Sequence, residues 1–195
     1  MEVGARTEFI PGLQTSLSLY RLDFDSELLF KGDAGTTADT GRPSWRVDFE
    51  FSNYYKPTKW LTIDADVAFA RARYRDSDPA GAIEGVASLA LAVDNLGPYF
   101  VGLQLRYFGP RPLIVDNTVR SQKTVTLNGR IGYKVSPRER IDVEGYNLTN
   151  RKDAAIDYYY ASRLPKEAND HVGTADIHFH PIESRSFRVN LVATF

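Results

Sequence analysis

Two histidines separated by one residue make the pair with the most metal-like character in this chain. His178 and His180 flank Phe179, with Glu183 close behind and His171 seven residues upstream. On a strand, residues at i and i+2 share a face, so both imidazoles would point the same way, a spacing some zinc sites use. The same spacing suits solvated or hydrogen-bonded histidines at the base of a loop, and the sequence offers no outer partners of the kind that orient metal ligands. His178 and His180 are weak metal candidates, and no metal or cofactor is expected.

The run Tyr158-Tyr159-Tyr160, with Arg151, Lys152 and Arg163 nearby, combines phenols and fixed positive charge. Tyr and Arg are common binding anchors, and together they could grip an anionic, aromatic ligand from an external loop. The tyrosines fit an aromatic girdle at a membrane interface equally well. Asn147-Leu148-Thr149 has the form of a glycosylation acceptor, a match that is incidental if these residues end a barrel strand. Asp64 and Asp66 share a strand face, which alternation alone explains. No glycine-rich phosphate loop, nucleophile elbow or acid–base pair accompanies them, so an enzyme is not expected.

Composition narrows the partners. The 195 residues carry a formal net charge of −1, so no basic excess argues for nucleic acid. Mean hydropathy is −0.34, and no apolar run approaches the ~20 residues of a membrane helix. A membrane barrel remains open, because its alternating strands average to a polar composition. Eleven Tyr and eleven Phe suit strands and interfacial girdles. Cysteine is absent, which excludes disulfides and thiolate metal sites. Met1-Glu2-Val3-Gly4-Ala5-Arg6 has neither the basic nor the apolar region of a signal peptide. An exported protein starting this way is expected to be part of a longer precursor.

The elements that must position these residues read with period two. Trp45, Val47, Phe49 and Phe51 alternate with Arg46, Asp48 and Glu50; Leu61, Ile63, Ala65, Val67 and Phe69 alternate with Thr62, Asp64 and Asp66. No window has helical spacing. Nine strands are predicted, near 2–9, 14–23, 45–55, 60–74, 86–94, 99–108, 124–134, 140–149 and 185–195. The connections alternate between short turns that each hold a proline (Pro11, Pro57, Pro98, Pro137) and long polar stretches near 24–44, 75–85, 109–123 and 150–184. Short turns at one end, long loops at the other and strands of nine to eleven residues are the pattern of a transmembrane β-barrel. Parity places Phe49, Ile63, Val67, Leu103, Leu105, Leu127, Val189 and Leu191 on the outward face. Glu50, Asp64, Asp66, Gln104, Arg130 and Asn190 should line the concave side.

Asp142-Val143-Glu144-Gly145-Tyr146-Asn147-Leu148-Thr149-Asn150, followed by a long stretch and a last strand ending in Phe195, resembles the C-terminal part of a TonB-dependent outer-membrane receptor. Pro11-Gly12-Leu13, Leu19-Tyr20-Arg21-Leu22 and Asp33-Ala34-Gly35 resemble mid-barrel strands and a loop of that family, so the likeness covers essentially the whole chain. It implies an antiparallel, open or incomplete portion of a β-barrel spanning 1–195, without the plug domain, the coupling box or the N-terminal barrel strands. It also implies energised uptake of an iron–siderophore or similar nutrient. Tyr158, Tyr159, Tyr160 and Arg163 would then face a ligand such as a ferric catecholate, and Phe195 would be an assembly signal. The implied partners are outer-membrane lipid, the barrel-assembly machinery, a siderophore or other nutrient, and TonB only through the missing plug.

Two other readings stay open. A small independent pore or adhesin requires an even number of strands closed upon themselves. A soluble β-domain binding ligand through its loops requires the apolar face to be enclosed.

Overall fold

The computed structural model describes residues 1–31, 36–39, 41–75, 82–114, 116–163 and 173–195, with 29–31 as backbone alone. The described structure is all-β. In chain order the strands are β1 (Glu2–Thr7), β2 (Leu13–Phe24), β3 (Leu28–Lys31), β4 (Thr36–Asp39), β5 (Ser44–Tyr55), β6 (Leu61–Tyr74) and β7 (Gly85–Leu96). They continue with β8 (Tyr99–Phe108), β9 (Thr124–Ser136), β10 (Glu139–Tyr146), β11 (Ala154–Ser162), β12 (Thr174–Pro181) and β13 (Ser186–Ala193).

Nine of these form one antiparallel sheet in the order β1-β2-β5-β6-β7-β8-β9-β10-β13. They are the nine strands that alternation picks out, joined as neighbours wherever the connection is short. Pro11, Pro57, Pro98 and Pro137 all lie in those short turns. Gly12 and Gly97 take the positive φ that two of the turns need, at 78° and 66°. The sheet is not closed: β1 and β13 are its edges and do not pair with each other.

The other four strands correct the expectation that 24–44 and 150–184 are plain loops. β3–β4 and β11–β12 are separate two-stranded hairpins inside those connections. Several strand ends also differ: β1 stops at Thr7, and β7 and β9 run on to Leu96 and Ser136. β10 stops at Tyr146 because Asn147 turns to φ 47°, and β13 stops at Ala193, short of Phe195.

Register carries the apolar residues into one surface. A single row runs Val3–Leu19–Phe49–Phe69 through β1, β2, β5 and β6. Another runs Ala65–Leu89–Leu105–Leu127 through β6 to β9, and a third Val101–Ile131–Val143–Val189 through β8 to β13. Every residue assigned outward in the sequence lies on this face, and every polar partner lies on the other.

Curvature separates the two faces. Leu191 is 78% exposed whereas Asp142, opposite Asn190, is 1% exposed. A cavity of about 350 Å³ opens on the polar side between β5 and β8, lined in part by Glu50, Asp66, Ser88, Gln104 and Arg106. The polar side is therefore concave and the apolar side convex. Among the described residues only Tyr74 and Phe100 are buried apolar side chains, so the sheet encloses no dry core. Phe100 instead covers Gly132, its cross-strand partner, where a Cβ would fall inside the ring. Along β6 the apolar row from Leu61 to Phe69 runs about 26 Å at ~3.3 Å per residue, against ~25 Å for the lipid-facing belt of an outer-membrane barrel.

Candidate ligand-binding loops

The long connections all leave the same end of the sheet, and the best-defined of them grows from Asn147-Leu148-Thr149-Asn150. Asn147 is 4% exposed and every polar group of its amide is used. Its Nδ2 donates to the carbonyls of Arg151 and Glu183, each at 2.9 Å, and its Oδ1 accepts from the Arg151 N–H at 3.0 Å. Its own N–H donates to Asn128 Oδ1 at 3.0 Å. Asn150, also at positive φ (51°), accepts from the Arg185 N–H at 3.3 Å. These two asparagines tie the chain leaving β10 to the chain returning into β13, and a buried Asn147 is no glycosylation acceptor. Leu148 packs over Gly129 and Gly145, a cross-strand glycine pair whose missing side chains leave the space.

Above this knot stands the β11–β12 hairpin. Thr124 Oγ1 donates to the Ala154 carbonyl at 2.6 Å, and the Val125 N–H donates to Asp153 Oδ2 at 2.9 Å. Burial works to raise the Asp153 carboxyl, but the Arg151 guanidinium at 2.7 Å and the Val125 N–H outweigh it and hold the group below its usual range. Higher on β11, Arg111 from the 109–123 connection donates to the Asp157 carbonyl at 2.6 Å. Burial pushes the Asp157 carboxyl up, with the charge of Arg111 opposing. Asp153, just before β11, and Asp157, on it, thus have opposite titration behaviour.

The hairpin collects most of the candidate site residues and divides them between its two faces. Tyr158 lies opposite His178, and Ile156 opposite His180, so both histidines share a face with Tyr158 and Tyr160. The Tyr160 and His178 rings stack at 4.0 Å with planes 15° apart, and His178 Nε2 donates to the Tyr160 carbonyl at 3.3 Å. Tyr159 is on the other face with Asp157 and Phe179. Arg163 follows β11 and is exposed. His171 lies outside the described residues. No group of three or more His, Asp or Glu capable of holding a metal occurs among the described residues, and one ring nitrogen of His178 is already engaged.

A second cluster escaped the sequence reading. Ser44 and Arg46 from β5 both reach the Glu27 carboxylate, and the Arg42 guanidinium lies 4.3 Å from the centre of the Tyr74 ring. Alternation says nothing about such contacts between one long connection and the ends of β5 and β6.

No family model and no curated protein matches the chain. Solved structures do. The ferric-catecholate import receptor Fiu of Escherichia coli K12 superimposes with a TM-score of 0.70 and 18% identity, over 98% of this chain and 26% of that one. The siderophore receptor PiuA of Acinetobacter baumannii gives 0.71 and 17%, over 98% and 27%. The ferripyoverdine receptor of the outer membrane of Pseudomonas aeruginosa gives 0.67 and 13%, over 98% and 26%. The fold is that of a TonB-dependent receptor barrel. The chain spans about a quarter of the length of these solved structures. In a transmembrane barrel the convex face meets lipid and the concave face is the lumen wall.

Proposed function

We propose that this chain forms part of the wall and external loops of an outer-membrane uptake receptor, energised through TonB, for an iron–siderophore or comparable nutrient. The continuous convex apolar face, on a sheet that matches receptor barrels along nearly its whole length, carries this reading. In it, residues 1–195 supply the C-terminal barrel strands, and a plug domain and further strands elsewhere in the polypeptide complete the receptor. Tyr158, Tyr160, His178 and Arg163 offer phenol, imidazole and guanidinium groups to an anionic ligand, while Tyr159 packs on the opposite face of the hairpin. The chain binds and conducts; it performs no chemistry. Phe195, fully exposed beyond β13, is a recognition element for barrel assembly by strand addition.

Single cysteines test this, since the chain has none of its own. In cells expressing the protein from its own gene, Thr118→Cys in a long connection should react with a membrane-impermeant maleimide, and Thr58→Cys in a short turn should not. Growth on ferric chelates should fall in Arg163→Gln and Tyr160→Ala variants that still reach the surface. Equal labelling at both positions would defeat the outer-membrane topology; normal growth of both variants would defeat the loop's role in uptake.

A further inference from the structure

The β11–β12 hairpin sorts its side chains by parity into two unlike faces. One presents Asp157 opposite Phe179 and Tyr159 opposite Ile177; the other presents Tyr158 opposite His178 and Tyr160 opposite Asp176. Paired strands lie about 4.8 Å apart, and alternate residues about 6.6 Å apart along each strand. Two phenols, one imidazole and one carboxylate therefore stand at the corners of a patch roughly 5 by 7 Å. Side chains of these lengths reach a common point above it. Tyr158, Tyr160 and His178 are half-buried, and Asp176 is exposed. His, Asp and Glu by themselves make up no metal site among the described residues. The phenols add two oxygen donors to the imidazole and the carboxylate.

His178 is arranged as a metal ligand would be. Its Nε2 donates to the Tyr160 carbonyl at 3.3 Å, so the proton is on Nε2 and the lone pair on Nδ1. A backbone carbonyl on the second ring nitrogen is the outer partner that fixes the tautomer and orientation of a metal-bound histidine. The ring also lies against that of Tyr160, with 4.0 Å between centres. Asp176 Oδ1 accepts from the Ile177 N–H at 2.7 Å, which orients the carboxylate at its own corner.

The geometry points to a coordination site for a ferric ion on this face, with Tyr158, Tyr160, His178 and Asp176 as ligands. Phenolate and carboxylate are hard oxygen donors that suit a hard trivalent ion, and imidazole and tyrosinate both serve iron. Binding forms an iron–oxygen bond to each phenolate and releases the proton of each phenol to solvent. Iron stays ferric, and no oxidant or reductant takes part. Four protein donors leave an octahedral ion room for a small chelator only. The iron delivered here is therefore held in a weak, readily displaced chelate, and an ion wrapped on all sides by its carrier gains nothing from the site. This deepens the uptake reading above and rests on it for access of the hairpin to external ligand.

Protein purified in detergent from cells expressing it from its own gene is titrated with ferric nitrilotriacetate, whose small chelator leaves positions open on the iron. Visible absorption reads phenolate-to-iron charge transfer, and retained iron is assayed separately. We expect a saturating visible band. Tyr158→Phe and Tyr160→Phe should each remove about half of it and the double variant all of it, and His178→Gln should weaken iron binding at least tenfold. Tyr159→Phe, on the opposite face, should leave band and affinity unchanged. A band that survives in the double variant, or that falls as far in Tyr159→Phe, would overturn the site. Iron retained with no band would overturn it too, while leaving recognition of an anionic chelate by the loop in place. The uptake reading falls separately, on normal growth of the Arg163→Gln and Tyr160→Ala variants.

Discussion

Arg130 Nη2 donates to Asp142 Oδ1 at 2.6 Å across the β9–β10 pair, and Asn190 on β13 donates to the other carboxylate oxygen at 2.8 Å. Three neighbouring strands are thus joined through one carboxylate whose side chain is wholly covered. This is how a lumen wall differs from a soluble core: its buried groups are polar and satisfied by one another. Asp142→Leu should cost about 1–2 kcal/mol in urea unfolding of the lipid-reconstituted protein. The loss is modest because Arg130 keeps access to water and to Glu144, 3.8 Å away. Asn190→Leu, which leaves the ion pair intact, should cost less than Asp142→Leu.

Asn147 should be the most sensitive position at the base of the β11–β12 hairpin. Asn147→Ala forces a Cβ-bearing residue without the amide into the left-handed region and leaves the Arg151 and Glu183 carbonyls without their donor. The expected loss is about 2–4 kcal/mol. Asn147→Gly relieves the backbone but not the carbonyls and should recover about 1 kcal/mol of it. Limited proteolysis between β11 and β12 reads both effects, and equal resistance in all three proteins would show that the amide holds nothing together.

Much of this architecture was legible in the sequence. The alternation from Trp45 to Phe69 determines parity, and parity determines which side chains share a face; prolines at 11, 57, 98 and 137 mark where the chain turns. The four hairpin strands were not legible, because β3 and β4 hold four residues each. β11 carries three consecutive tyrosines, which hide the period. The Asn147 knot appears in sequence only as a family-like motif, since its partners Asn128, Arg151 and Glu183 are set by the pairing of β9, β10 and β13.

Asp153 and Asp157 should give the hairpin opposite responses to pH. The Asp153 carboxyl is depressed, so its contribution is present above the ordinary carboxylate range of about 4 and is lost as pH falls through its lower native value. The Asp157 carboxyl is raised, so its contribution is complete below the ordinary range and is lost as pH rises through its native value. Hydrogen-exchange protection of the Tyr158–Tyr160 amides, corrected for intrinsic exchange, should therefore increase as pH falls from neutral toward the ordinary carboxylate range of about 4 and decrease below that range. Asp157→Asn should remove the increase while keeping protection at neutral pH. Asp153→Asn should lower protection at neutral pH. A single monotonic profile in the unsubstituted protein would contradict the assignment.

The account depends most on which face of the sheet meets lipid, and nitroxide accessibility at single cysteines measures that directly. Leu89→Cys, Leu105→Cys and Leu127→Cys lie in one cross-strand row of the convex face, and Ser88→Cys, Gln104→Cys and Asn128→Cys on the concave face beside it. In lipid-reconstituted protein the first three labels should be accessible to oxygen and shielded from a water-soluble nickel chelate, and the second three should show the reverse. Chelate accessibility at Leu89, Leu105 and Leu127 equal to that at Ser88, Gln104 and Asn128 would contradict it.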